Sequence, residues 1–203
     1  MLARAWAAFE AEDFTQAELE FRRARFEPSL AVAARMGLAS VFARTGRFEE
    51  ARSECDLLRL EAQSQQDLQR EYAALHQLGM VERMAEEYRA ALEVFVQEAT
   101  IIAKLENPPL AVSANAFEQG IIYGKLGQLP EARQWLGVAL EQAQLANDPI
   151  AQACAYRGLG EVAANAIMRK TMLLQSKAAF ERGNDLLGAA EIGDLLEQKF
   201  SQA

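Results

Sequence analysis

Apolar residues recur along this chain at spacings of three and four positions, and no convincing stretch alternates apolar and polar residues with a period of two. Spacings of three and four put apolar side chains on one face of an α-helix, whereas alternation is typical of a half-buried strand. Ala, Leu, Glu, Gln and Arg dominate the composition, and all of them are strong helix formers. The pattern therefore predicts an all-α protein.

Two similar corners indicate that the helices repeat. Residues 103–111 read AKLENPPLA, and residues 143–151, 40 positions later, read AQLANDPIA. In each corner a helix is expected to end near the leucine, and a polar residue, Asn107 or Asp148, is expected to cap the next helix. Proline then stands in the first helical turn, where its missing N–H costs nothing. A corner that recurs at a fixed separation predicts an array of helix pairs.

Two registers of small residues mark five such pairs. The second helix of each pair carries a small residue four positions before a large one, and these small residues are Ala17, Ala51, Ala91, Ala132 and Ser176. The first helix carries its own series, Ala5, Ala39, Gly79, Gly120 and Gly160. Antiparallel helices approach closely where small residues meet, with bulky neighbours filling the space beside the contact. We therefore expect both series to lie at helix contacts, with Gly46 and Gly127 in left-handed turns between helices.

This pattern resembles the tetratricopeptide repeat (TPR), in which Leu-Gly, Tyr, Ala and Phe stand at defined offsets. Leu78 and Gly79, followed by Tyr88, Ala91 and Phe95, carry the resemblance best. The spacing of about 40 exceeds the standard 34 and resembles the long-repeat subclass found in kinesin light chains and bacterial peptide-sensing regulators. The resemblance implies a right-handed α-α superhelix, a TPR-like solenoid of five helix pairs plus a C-terminal capping helix.

The expected organisation is a single domain over residues 1–203. Its repeats are expected at approximately 1–28, 29–64, 67–106, 108–147 and 149–185, with the capping helix at 186–200. About one extra helical turn is expected near residues 165–171, because the second register steps by 44 there while the first steps by 40. The capping helix is expected to bury residues from the set Leu187, Ala190, Leu195 and Leu196.

Charge and hydropathy limit the classes of ligand and the cellular locations that the sequence favours. With 21 basic and 29 acidic residues the formal net charge is −8, which disfavours nucleic acid as a main ligand because phosphate binding needs a basic face. No apolar run approaches the roughly 18 residues of a membrane span. The first residues lack the basic-then-apolar layout of a secretory signal, so a cytoplasmic location is expected. Cys55 and Cys154 are expected to be buried free thiols.

Catalytic and cofactor chemistry finds little support. His76 is the only histidine, and no serine- or cysteine-based triad is recognisable around it. One histidine, two distant cysteines and scattered carboxylates give no metal-ligand spacing, and no glycine-rich phosphate loop is present. We therefore expect a non-enzymatic protein with no cofactor. His76 itself reads either as a partly buried polar residue or as a pH switch.

The TPR resemblance implies that the first helix of each pair lines an inner, ligand-binding surface. Side chains spaced four apart, with Arg83 beside the third stripe, predict the groove residues. They are Met36, Ser40, Arg44, His76, Met80, Arg83, Met84, Phe117, Ile121, Lys125, Arg157 and Glu161. The middle of this series is apolar and its ends are charged. The Lys and Asn residues that clamp a peptide carboxylate in some TPR proteins are absent, and Gln77 only partly substitutes for the Asn that precedes Leu-Gly in the long-repeat subclass.

Three functions are compatible with such a surface. The first is a protein–protein or peptide interaction module whose groove binds a partner segment. The second is the ligand- or peptide-sensing half of a bacterial regulatory system, with its effector on another segment or chain. The third is a homodimeric scaffold in which a second copy covers the groove. The apolar stripe also reads as ordinary core, covered by neighbouring helices.

Overall fold

The structure is a computed structural model that describes residues 1–200. Within that range it contains helices and no strand, and no described helix is long and apolar enough to cross a membrane. The helices are α1 (Leu2–Glu10), α2 (Phe14–Ala24), α3 (Ala31–Arg44), α4 (Phe48–Gln65), α5 (Leu68–Met84), α6 (Tyr88–Ile102), α7 (Pro109–Lys125), α8 (Leu129–Leu145), α9 (Pro149–Glu161), α10 (Ala166–Arg182) and α11 (Leu186–Phe200). The all-α prediction is confirmed.

The chain divides into two compact units. Unit 1 is Met1–Leu105 and contains α1 to α6, while unit 2 is Glu106–Ala203, described to residue 200, and contains α7 to α11. Within each unit, helices that follow one another in sequence pack together. Helices two positions apart also touch, namely α1 with α3, α3 with α5, and α7 with α9. This is the packing of stacked helix pairs. That the repeats form a single domain stays a prediction.

Both registers of small residues lie at helix contacts, as expected. The second-helix series, from Ala17 to Ser176, is fully buried at every member. In the first-helix series Ala5 and Ala39 are fully buried, and Gly79, Gly120 and Gly160 are among the buried residues of their helices. The contacts on which the fold prediction rests are therefore confirmed.

The glycines in the first helices also accommodate bulky side chains from the second helices. A Cβ atom at Gly79 would lie 2.5 Å from Cζ of Phe95, so only glycine leaves room for that ring. Leu136 is held on two sides, because a Cβ at Gly120 would lie 2.6 Å from its Cγ and one at Gly158 would lie 2.7 Å from its Cδ2. Phe95 and Leu136, each four positions after its alanine, thus lie at the centre of the contact and do not only fill the space beside it.

The turns within the first four pairs each contain a left-handed residue, as the sequence predicts for Gly46 and Gly127. Gly46 and Gly127 have φ angles of 75° and 74°, and a Cβ built on either would meet open space. Glu12 and Glu86 take the same place in the first and third pairs, with φ angles of 58° and 61°. A side chain costs energy in this region, and glycine avoids that cost.

One of the two predicted corner caps is wrong. Asp148 caps α9 as expected, because its Oδ1 accepts a hydrogen bond from the backbone N–H of Ala151 at 2.9 Å. Asn107 does not cap α7, since Pro108 occupies the cap position and makes no side-chain bond. Asn107 is instead left-handed, with a φ angle of 52°, as is Asn147 at the equivalent place. The shared asparagine of the two corners therefore serves the turn and not the cap.

The fifth pair and the last helix differ from the others. Helix α10 begins at Ala166, capped by Asn165, so the residues of the expected extra turn lengthen its N-terminal end. Helix α11 has the expected bounds, but the prediction of its buried face is wrong. Ala189 and Ile192 are buried, whereas Leu187 is 81% exposed. Leu195 and Leu196 are partly buried beside that face and Ala190 is exposed. The helix therefore docks with its Ala189 side inward.

Candidate functional site

An open depression lies in unit 1 between α1, α3 and α5, with a volume of about 530 Å³. We call it the unit 1 depression. Its lining residues are Phe9, Ser40, Ala43, Arg44, Gln77, Met80, Arg83 and Met84. Helical periodicity explains the set, because residues three, four and seven positions apart share one face of a helix. The structure thus brings together five of the predicted groove residues, namely Ser40, Arg44, Met80, Arg83 and Met84.

Three lining residues of the depression, Phe9, Ala43 and Gln77, were not among the predicted groove residues. Phe9 comes from α1, where the sequence supplied no Leu-Gly register from which to place a groove position. Gln77 was noted only for its position before Leu78. In the structure its Nε2 donates to Oγ of Ser40 at 3.3 Å, and that hydroxyl donates to the carbonyl oxygen of Met36 at 3.1 Å. The amide of Gln77 is therefore fixed against the wall formed by α3.

Arg44 stands at the edge of the unit 1 depression with its guanidinium against two aromatic rings. The guanidinium carbon lies 5.9 Å from the ring centroid of Phe9 and 5.5 Å from that of Phe14. Its Nη2 donates to Oε1 of Glu12 at 3.0 Å. The Arg44 side chain is 46% exposed, so it is positioned by the rings and remains open to water.

Met36 and His76 do not line the unit 1 depression. Met36 borders a separate cavity of about 40 Å³ between α3, α4 and α5, whose other walls include Val32, Leu58 and Ala62. A cavity of this size holds no more than a water molecule or two. Met36 therefore takes part in the packing of α3 against its neighbours.

His76 lies in the contact between α5 and α6. Its Nδ1 is 3.0 Å from Oε1 of Glu98, a carboxylate with no exposed surface. Its ring stands edge-on to Phe95 and tilted against Tyr72, with centroid separations of 5.9 Å in both cases. Burial, and secondarily the charge of Glu98, raise the pKa of the Tyr72 hydroxyl to about 12. The surroundings of His76 are those of a partly buried polar residue.

The remaining predicted groove residues belong to unit 2. Phe117 and Ile121 are half-buried and pack against the core residues of that unit. Lys125 is exposed at the end of α7. Arg157 is also exposed, with its guanidinium 3.5 Å from carboxylate oxygens of Glu161 and Glu191. That these residues share one groove with those of unit 1 stays a prediction.

The thiols and carboxylates give little support for reactive chemistry. Burial, with smaller contributions from nearby carboxylates, raises the pKa of the Cys55 thiol to about 12, and burial also raises that of Cys154. A thiol that holds its proton is a poor nucleophile. Cys55 is buried as expected, whereas Cys154 is only half-buried. In residues 1–200 no three His, Cys, Asp or Glu side chains are grouped so that they could hold a metal ion.

No protein-family model matches the chain, and no curated protein matches it. Solved structures do. BtubC (BKLC) from P. vanneervenii superposes with a TM-score of 0.65 at 16% identity, covering 92% of this chain and 88% of that one. The nearly identical TPR-like repeats of a kinesin light chain candidate from Podospora anserina superpose with a TM-score of 0.51 at 17% identity, covering 86% of this chain and 99% of that one.

These identities are low, so the likeness concerns the fold. It agrees with the buried small-residue registers and the stacked helix pairs described above. The chain has the fold of the tetratricopeptide-repeat proteins.

Proposed function

We propose that this chain is a non-enzymatic interaction module that binds a segment of a partner protein in the unit 1 depression. The observation that carries the proposal is the depression itself, which is open and has a volume of about 530 Å³. Binding pockets for small ligands span roughly 300–1,000 Å³, so this one has room for a few side chains of a peptide. Exposed apolar surface in a concavity is what such side chains seek.

The chemistry of the lining supports a peptide ligand. Met80, Met84 and Phe9 supply the apolar part of the wall, and methionine adapts its shape to different partners. Ser40 and Gln77 supply polar atoms on the neighbouring wall. An apolar lining with a few fixed polar groups suits a peptide segment, which offers apolar side chains and backbone hydrogen-bonding groups.

Met80 is the cleanest residue with which to test the proposal. Met84 also packs against the core of unit 1, and Phe117 packs against two core clusters of unit 2, so truncating either would disturb the fold. Met80 lines the depression and is half-buried. Truncation to alanine removes roughly 1–1.5 kcal/mol of apolar contact, which corresponds to a loss of about tenfold in affinity.

The experiment begins with the full chain as bait in an extract of its native cells. A co-purifying protein is then produced alone, and its affinity is measured for the wild-type chain and for three variants. Met80→Ala should weaken binding about tenfold, while Met80→Leu should stay within about twofold. Met168→Ala, which truncates a methionine that is 45% exposed in α10, should leave the affinity unchanged. Equal affinity for wild type and Met80→Ala would refute the proposed site.

A further inference from the structure

The unit 1 depression is lined by two guanidinium groups, in a chain whose formal net charge is −8. Arg44 and Arg83 both line it, beside Met80 and Met84. Guanidinium groups next to apolar side chains suit a ligand that offers a negative charge and an apolar group together. Charge complementarity of this kind selects the partner and guides its approach.

Arg44 already holds a carboxylate, and that carboxylate belongs to the chain itself. In residues 1–200, Glu12 is the side chain that accepts a hydrogen bond from Arg44, through one oxygen at 3.0 Å. The guanidinium also lies over the rings of Phe9 and Phe14. A guanidinium has five N–H donors in a planar fork, so this single bond leaves most of its capacity for a second carboxylate.

Glu12 is easy to displace. It is 71% exposed, and exposed pairs contribute so little that exchanging one carboxylate for another costs at most about fivefold in affinity. Its backbone has a φ angle of 58°, at a place where the second and fourth pairs use Gly46 and Gly127. The turn therefore does not require a carboxylate, and the contact with Arg44 is what the side chain adds.

We propose that the unit 1 depression recognises a side-chain carboxylate that lies beside an apolar side chain, with Arg44 as the specificity-determining residue and Glu12 as an internal stand-in that the ligand replaces. The proposal rests on the function proposed above. The partner is a protein segment with Asp or Glu next to a large apolar residue. A phosphorylated side chain fits less well, because a dianion would meet the net negative charge of the chain, whereas one guanidinium balances one carboxylate.

The first test uses random nine-residue segments displayed on phage, fused so that no free C-terminal carboxylate is present, and selected on the full chain. Wild type should enrich segments with Asp or Glu next to an apolar residue. Arg44→Met, which keeps an unbranched apolar stem against the rings, should enrich apolar segments without the acidic preference. Arg89→Met, at an exposed arginine of α6, should behave as wild type.

The other outcomes separate the role of Arg44 from the proposed function. Enrichment of apolar segments with no acidic excess on wild type would overturn the role of Arg44, while the proposed function would stand. An acidic preference that survives in Arg44→Met would overturn it as well. Failure to enrich any segment on wild type beyond the level seen with Met80→Ala would remove both proposals.

The second test concerns Glu12. The best acidic segment is made as a fluorescent peptide with an amidated C-terminus, together with a twin in which Gln replaces each acidic residue. Glu12→Gly should bind the acidic peptide about threefold to fivefold more tightly and the Gln twin unchanged. Glu86→Gly, the same exchange at the left-handed turn of the third pair, should change neither affinity. Unchanged or weaker binding of the acidic peptide by Glu12→Gly would overturn the internal stand-in.

Discussion

The two units link their helices by different chemistry. In unit 1, guanidinium–carboxylate pairs join neighbouring helix pairs: Nη1 of Arg47 lies 2.6 Å from Oε2 of Glu18, and Nη2 of Arg52 lies 2.7 Å from Oε2 of Glu82. Arg52 is bidentate, because its Nε also donates to Oε1 of Glu82 at 2.8 Å. These carboxylates are mostly buried, so the pairs are stronger than ordinary surface pairs.

Unit 2 uses buried hydroxyl groups, each of which joins the two helices of one pair. Oγ of Ser113 in α7 donates to the carbonyl oxygen of Ala139 in α8 at 2.8 Å. Oγ of Ser176 in α10 donates to the carbonyl oxygen of Ala153 in α9, also at 2.8 Å. Both serines are essentially without exposed surface. An uncharged hydrogen bond of this kind does not respond to salt, whereas a partly exposed ion pair does.

The difference teaches that one backbone arrangement admits several kinds of link between helices. What the units share is the small-residue register, which sets how closely the helices approach. What they do not share is the polar chemistry laid over that register. Four sets of variants test this separation, beginning with the largest expected effect.

The buried pair of unit 1 should give the largest effect. His76→Leu leaves the Glu98 carboxylate, which has no exposed surface, without its histidine partner and should cost about 3 kcal/mol in urea unfolding. The double variant His76→Leu with Glu98→Leu should recover most of that loss, because neither charge nor donor then remains buried alone. His76→Gln should cost less than His76→Leu, since the amide can still donate to Glu98. A loss below about 0.5 kcal/mol for His76→Leu would show that the pair contributes nothing to unit 1.

The packing glycines should respond alike in both units. Gly37→Ala places a Cβ against the ring of Phe21, which is fully buried, and Gly158→Ala places one against Leu136. Each should lose about 1–3 kcal/mol by overpacking. Gly137→Ala is the matched control in α8, since a Cβ there meets open space, and it should gain about 0.5–1 kcal/mol from helix propensity. Equal stability of Gly37→Ala and Gly137→Ala in thermal unfolding would contradict the shared packing.

Salt should separate the two kinds of link. Arg52→Gln should cost about 1–2 kcal/mol at low salt and clearly less at 1 M NaCl, because screening already weakens the pair in the wild type. Ser176→Ala should cost at most about 1 kcal/mol, and equally at both salt concentrations. Hydrogen exchange measured on individual peptides shows in which unit each variant loses stability. A salt-dependent loss for Ser176→Ala would break the comparison.

The thiols should show the smallest effect. It concerns the rate at which each thiol is modified and the stability of the fold at alkaline pH. The pKa of Cys55 rises from 9.0 to about 12 on burial, so its folded thiol keeps a proton that the unfolded thiol loses. This contribution is present below pH 9 and is lost as the pH rises toward 12. Iodoacetamide should modify the half-buried Cys154 before Cys55, and Cys55→Ala should flatten the alkaline loss. Faster modification of Cys55 would contradict its burial.

Much of the fold could be predicted because packing leaves a direct trace in the sequence. Small residues at fixed spacings are required wherever two helices approach closely, so Ala17 and Gly79 could be assigned to contacts from spacing alone. The capping of α7 could not be predicted, because Asn107 suits both a cap and a left-handed turn. In the structure Pro108 takes the cap position and Asn107 is left-handed. The buried face of α11 was predicted wrongly for a related reason. Leu187 and Ala189 are both apolar, and their spacing does not indicate which side of the helix packs against the core.

The candidate site could be predicted in part. Helical geometry placed Ser40 and Arg44 on one face of α3, and the TPR resemblance implied that this face and the Met80 stripe of α5 line one surface. The same stripe included His76, which the structure pairs with Glu98 from the next helix. Glu12 escaped notice because its importance depends on a residue 32 positions away. Contacts between distant segments follow from tertiary packing and leave no periodic trace.

Leu136 illustrates how far the repeats depend on one another. The side chain is encoded in the fourth pair, but one of the two glycines that receive it, Gly158, is encoded in the fifth. Phe21 and Gly37 divide the same task between the first pair and the second. A repeat of this chain is therefore not an interchangeable module: to delete, duplicate or transplant one, its neighbour's receiving residue must be redesigned with it.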